Sequence, residues 1–142
     1  MSSDPGAIVR AAARQIGEQL GGRGTVRRGL AVSGAAPDLA VLAPARPGPG
    51  AAAPAVEAVL DVLPHARDDL RFAARRRAHA AGGIPVYVVV DPAEGLCTVH
   101  SDPEPSGLYR TAEHLPFGAD LFLQLAGRTL VVGTDEFPRD PG

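Results

Sequence analysis

Residues 85–91, Pro-Val-Tyr-Val-Val-Val-Asp, set four valines and a tyrosine between a proline and an aspartate. A β-branched run that is apolar at odd and even positions alike reads as a strand covered on both faces, in the middle of a layered sheet. Just upstream, Gly82-Gly83 ends a helical stretch over about residues 68–81, and the Asp-Pro-Ala-Glu-Gly of 91–95 is a turn. Helix, buried strand and turn in this order dock a helix against a sheet.

Working outward, residues 96–100 and 108–114 alternate as antiparallel strands on either side of Ser-Asp-Pro-Glu-Pro-Ser-Gly, and 121–125 and 129–132 are two further strands. A polar tail is expected over 133–142. Upstream, Ala-Val-Glu-Ala-Val-Leu-Asp-Val-Leu (55–63) is strand-like, and the Pro/Gly/Ala-rich 43–54 is expected to be a mobile loop. Residues 25–32 and 39–42 read as a hairpin joined by 33–37. Asp4-Pro5 and Gly21-Gly22 bracket a helix over about 5–20, with Ile8, Val9, Ala12, Ala13, Ile16 and Leu20 on one arc and Arg10, Arg14 and Glu18 opposite. The order α, β, β, β, α, β and then a run of strands predicts an α/β (α+β) fold, a central mixed sheet flanked by two helices.

At 142 residues and 45% hydrophobic content, the chain is expected to form a single domain over 1–142. No apolar run approaches the roughly 20 residues of a membrane span, so no membrane is expected as a partner. Cys97 is the one cysteine and the N-terminus has no signal-peptide pattern, which together predict a reducing, cytoplasmic location. A net charge of −2 excludes a global positive field, so any nucleic-acid site must be local. All 14 basic residues are arginine, which rules out every mechanism that needs a lysine of this chain. The four histidines, His65, His79, His100 and His114, lack zinc spacing, and Gly21-Gly22-Arg23-Gly24 lacks the Walker lysine.

The residues that suit chemistry are Asp38 entering a strand, Asp61 near the end of the next, and the arginine-rich helix that follows. Two carboxylates can give a hard divalent cation its oxygen ligands, and a neighbouring cation can hold a phosphate. Two readings of Asp61 stay open: metal ligand, or buried ion-pair partner of Arg75. Glu57 lies four strand residues from Asp61, roughly 13 Å, too far to share its ion.

At these positions the sequence resembles the Uma family, a restriction-endonuclease branch of the PD-(D/E)XK nuclease superfamily. Pro-Asp-Leu-Ala-Val-Leu (37–42) is similar to the family's PD strand, Val-Leu-Asp-Val-Leu (59–63) to its acidic strand, and Ala-Gly-Gly-Ile-Pro-Val-Tyr-Val-Val-Val-Asp-Pro (81–92) to its A-G-I/V-P-x-Y-W-x-V-D-P segment. Thr-Leu-Val-Val-Gly-Thr-Asp-Glu-Phe-Pro (129–138) is similar to the closing strand.

The resemblance implies a restriction-endonuclease-like fold and Mg²⁺- or Mn²⁺-dependent hydrolysis of DNA phosphodiester bonds. It implies Asp38 and Asp61 as metal ligands, Arg75 as the third catalytic residue, and Arg71, Arg75 and His79 as the phosphate- or DNA-binding flank of the helix. That flank is expected along the sheet edge, with Ala73, Ala74, Ala78 and Ala81 pressed on the sheet.

Several positions depart from the family pattern. Arg75 stands at the family's lysine and His79 at its tyrosine, Asp61 replaces the usual glutamate, and Pro64-His65-Ala66 replaces Ser-Pro-Ser. Arginine can clamp a phosphate but cannot act as a titrating base. The family normally begins with a further hairpin carrying an E-L-x-x-G element, which this chain is expected to lack, and a strand edge left bare by the missing hairpin predicts a homodimer. The alternative is a degenerate, non-catalytic relative acting as a DNA- or protein-binding module.

Overall fold

The computed structural model describes residues 5–44, 50, 54–64 and 69–139. Helix α1 (Pro5–Leu20) leads to strands β1 (Thr25–Arg27), β2 (Leu39–Leu42) and β3 (Val56–Val62). Helix α2 (Asp69–Ala81) then precedes β4 (Val86–Asp91), the hairpin β5 (Leu96–Glu104) and β6 (Leu108–Pro116), and a ribbon of β7 (Asp120–Leu125) and β8 (Arg128–Gly133).

Six strands form one sheet in sequence order, β1 to β6, and β7–β8 form a second, two-stranded sheet. Only β3 and β4 run parallel, because only there does a helix cross over between neighbours. The architecture is α+β with a mixed central sheet, as the element order predicts.

The valine run explains its own position. Val86, Val88 and Val90 of β4 join the main core beneath α1 and the β7–β8 ribbon, together with Leu39, Val41, Leu60, Ile8 and Ile16. Tyr87 and Val89 point to the opposite face, into a smaller cluster with Ala40, Val59 and Ile84 on the α2 side. Burial of both faces is what an unbroken β-branched strand requires. Cys97 is fully buried in the main core, where desolvation pushes its thiol up to about 12 and leaves it unreactive.

α1 is tied to β8 by two side-chain amides. Gln15 donates to the Gly133 carbonyl at 2.9 Å and accepts from the Gly133 amide at 2.7 Å; Gln19 does the same with Val131, at 2.6 and 2.8 Å. Four helical residues advance about 6 Å, and two strand residues about 6.6 Å. The two repeats match closely enough for the helix to stand in for a neighbouring strand.

Three local expectations need correction. The first hairpin strand does not reach residue 32: β1 is only Thr25–Arg27, paired with 40–42. Gly29 adopts φ 66°, and Ser33 and Gly34 adopt φ 52° and 78° in a tight turn bridging Val32 and Ala35, so the chain folds back separately there. The hairpin β5–β6 is longer than expected, absorbing most of 101–107. Residues 133–142 are polar in composition, yet Gly133 closes β8 and Phe137 is buried in the core against Phe117. Most of the expected 43–54 loop lies outside the described residues. No helix among the described residues is long and apolar enough to cross a membrane.

Candidate functional site

Asp38 and Asp61 meet because β2 and β3 are antiparallel neighbours in the register Leu39↔Leu60. The start of β2 therefore lies beside the end of β3. The backbone amide of Asp38 donates to Asp61 Oδ1 at 3.2 Å, and the amide of Val62 donates to Asp38 Oδ2 at 2.8 Å. Each carboxylate thus caps the other residue's strand. Burial raises the Asp38 pKa above its ordinary value, opposed by the Val62 hydrogen bond and reinforced by the charge of Asp61.

Arg75 reaches down from α2 to complete the group. Its Nε donates to Asp61 Oδ2 at 3.1 Å and its Nη2 to Asp61 Oδ1 at 2.9 Å, a fork-to-fork ion pair. Nη2 also donates to the Ala36 carbonyl at 3.1 Å, and the guanidinium lies 5.6 Å from the centre of the Phe72 ring. The pair is desolvated: the Asp61 side chain is 4% exposed and that of Arg75 14%.

Tyr87 supplies the fourth hydrogen bond to Asp61, from its hydroxyl to Oδ2 at 2.8 Å. Burial and the Asp61 charge hold the phenol protonated, its pKa far above the ordinary value. Sequence reasoning missed Tyr87 as part of this site. What joins it to the site is the parallel register Val59↔Tyr87 and Asp61↔Val89, which puts 87 and 61 on one face of adjacent strands.

A carboxylate has about four lone-pair sites, and Asp61 has all of them engaged, two by one guanidinium. Among the described residues, no group of three or more His, Cys, Asp or Glu side chains is arranged to hold a metal ion. The donor set of Asp38 and Asp61 therefore does not fit a divalent cation while Arg75 is in place.

The α2 flank differs from the expected geometry. Ala74 and Ala81 are exposed and Ala73 and Ala78 only half-buried, so these four alanines do not together form the contact face. Instead Arg75 and His79 turn inward, the first toward Asp61 and the second onto Tyr87 at 5.0 Å between ring centres. His79 is fully buried with both ring nitrogens unpaired, and burial lowers its pKa. A ligand on the surface cannot reach it, so its expected phosphate-binding role is withdrawn. Arg71 does face solvent, in a cavity of about 470 Å³ shared with Arg75 and the 33–36 turn. Glu57 is held elsewhere: a register shift between Val41 and Leu42 turns it toward Arg128 of β8, at 3.2 Å.

A mixed sheet carrying an acidic pair beside a helix-borne cation is the layout of a restriction-endonuclease-like protein. The profile of the Uma2 family, described as "putative restriction endonuclease", matches residues 6–132, and the chain belongs to that family. Among solved structures, a "putative nuclease belonging to DUF820" from Anabaena variabilis shares the fold with a TM-score of 0.70. That chain is 15% identical, and the match covers 94% of this chain and 79% of that one. No curated protein matches this sequence.

Proposed function

We propose that this chain is a non-cleaving member of its nuclease family, a DNA-binding module in which Arg75 takes the place of the divalent cation. The observation that carries the reading is the two-pronged Arg75–Asp61 contact at 2.9 and 3.1 Å. A guanidinium there balances the buried carboxylate permanently, since arginine does not lose its proton, and it supplies neither a bound water nor an open coordination position. What is left at the surface suits the phosphate backbone. Arg71 is exposed on α2 in the cavity it shares with Arg75, and such contacts bind DNA without sequence preference.

The second reading, Mg²⁺- or Mn²⁺-dependent hydrolysis, is favoured by the convergence of Asp38 and Asp61 through two backbone hydrogen bonds. It requires Arg75 to leave Asp61. Calorimetric titration with Mg²⁺ and Mn²⁺, paired with a supercoiled-plasmid nicking assay and a DNA mobility shift, separates the two. Retarded DNA with neither metal-binding heat nor nicking is expected. Heat that disappears in Asp38→Ala, or nicking that disappears in Asp61→Asn, would overturn the non-cleaving reading.

A further inference from the structure

On the other side of α2 from the 33–36 turn, a cavity of about 330 Å³ lies between the helix and strands β4 to β6. Phe72, Arg76, Tyr87, Thr98, His100 and His114 are among its walls. Nothing in the acidic site uses Arg76, His100 or His114, yet Phe72 and Tyr87 belong to both places.

His100 is the informative wall. It is 9% exposed, and its ring nitrogens make no hydrogen bond among the described residues. Tyr87 and Tyr109 cluster on one side of it, at 5.9 and 5.7 Å between ring centres and 6.4 Å from each other. The ring also borders the cavity. Burial, and then the charges of Arg76 and His114, push its pKa down to about 4, so at neutral pH the ring offers one N–H and one lone pair. A polar ring that borders a cavity can pair there with a group from outside.

Arg76 has no ion-pair partner among the described residues and is exposed at the cavity mouth. His114 stands near it, its Nδ1 3.0 Å from Thr98 Oγ1. The cavity thus offers one fixed positive charge, an aromatic wall at Phe72, and a neutral hydrogen-bonding edge at His100. Its volume is at the small end of ligand sites, enough for one compact unit and not for a stretch of polymer.

We infer that this cavity binds a single nucleotide unit, with the base against Phe72, the base edge on His100 and the phosphate on Arg76. A flat ring joined to an anionic group is the chemistry these walls match. It can come from a free mononucleotide or from one unstacked residue of a strand. The strand source rests on the DNA-binding reading above; the free-nucleotide source does not.

The test follows the imidazole carbon–proton NMR signals of the full-length chain during titration with thymidine 5′-monophosphate, with (dT)₈ and with inorganic phosphate. The expected result is movement of the His100 and His114 signals by one or both nucleotide probes and not by phosphate, with Arg76→Gln weakening binding about tenfold or more. Arg76 is at the surface, so this variant keeps its fold, which far-UV circular dichroism checks. Movement by (dT)₈ alone assigns the strand as the source, and by the monophosphate alone the free nucleotide. Unmoved His100 and His114 signals with both nucleotides, equal movement by phosphate, or unchanged affinity in Arg76→Gln would each overturn the inference. Retarded DNA with these signals unmoved would remove the cavity proposal and leave the DNA-binding reading standing. Monophosphate binding without retarded DNA would do the reverse.

Discussion

Replacing Arg75 with methionine tests how far the buried pair holds the site together. The substitution keeps an unbranched stem of similar reach and removes the charge. Asp61, with its side chain 4% exposed, then keeps the Tyr87 hydroxyl and the Asp38 amide but loses both prongs of its counter-ion. Breaking a buried pair by removing one partner costs about 3–5 kcal/mol, whereas an exposed pair is worth about 0–1 kcal/mol. For a chain of this size such a loss lowers the melting temperature by roughly 10 °C or more. Urea denaturation followed by circular dichroism at pH 7 reads the difference directly. Asp61→Leu combined with Arg75→Met is expected to recover most of the loss, because a hydrophobic replacement of the whole pair avoids the stranded charge. A loss below about 1 kcal/mol in Arg75→Met alone would refute the argument, since Asp61 would then have a solvent-screened or alternative partner.

Further outcomes follow from the same geometry. Tyr87→Phe removes one hydrogen bond to a charged acceptor and is expected to cost about 1.5–3 kcal/mol in the same urea experiment. His100 has its pKa lowered from 6.5 to about 4, so the unfolded chain binds a proton that the folded chain refuses. Stability is complete above pH 6.5 and falls between pH 6.5 and 4, by about 2–3 kcal/mol for this group. A midpoint that declines less steeply over that window in His100→Phe than in the parent is the expected result, and parallel declines would count against it. Gly24 adopts φ 139°, and a Cβ there would collide with the Leu42 carbonyl oxygen. Gly24→Ala should therefore cost about 1–3 kcal/mol, measured by thermal unfolding.

How much of this could be read from the chain alone differs between elements. The 85–91 run announced a doubly covered strand because four valines and a tyrosine at odd and even positions alike leave no solvated face. The α1 stripe was equally legible, since its buried and exposed arcs alternate with helical period. The brevity of β1 was hidden in backbone angles at Gly29, Ser33 and Gly34 that pattern alone does not reveal. The proximity of Asp38, Asp61 and Arg75 came from the family resemblance. The inward turn of Arg75 and His79 did not, because a helical wheel ranks faces by hydropathy, and here an arginine and a histidine are drawn in by a carboxylate and a tyrosine ring. Tyr87 escaped notice because its role depends on the register between β3 and β4, which the sequence leaves unstated.

The two glutamines that join α1 to β8 carry a consequence for how freely those positions can vary. Each must give and receive at one peptide group, and among side chains of that length only the carboxamide of glutamine does both. Glutamate would face a carbonyl with no proton to offer, and lysine would face an amide with no lone pair. A slip of the ribbon by one residue would carry the alternate peptide groups out of reach and bring side chains against the helix. Two amides one helical turn apart thus act as a vernier that fixes where the last ribbon sits, and they shield a strand border that would otherwise be open to another chain.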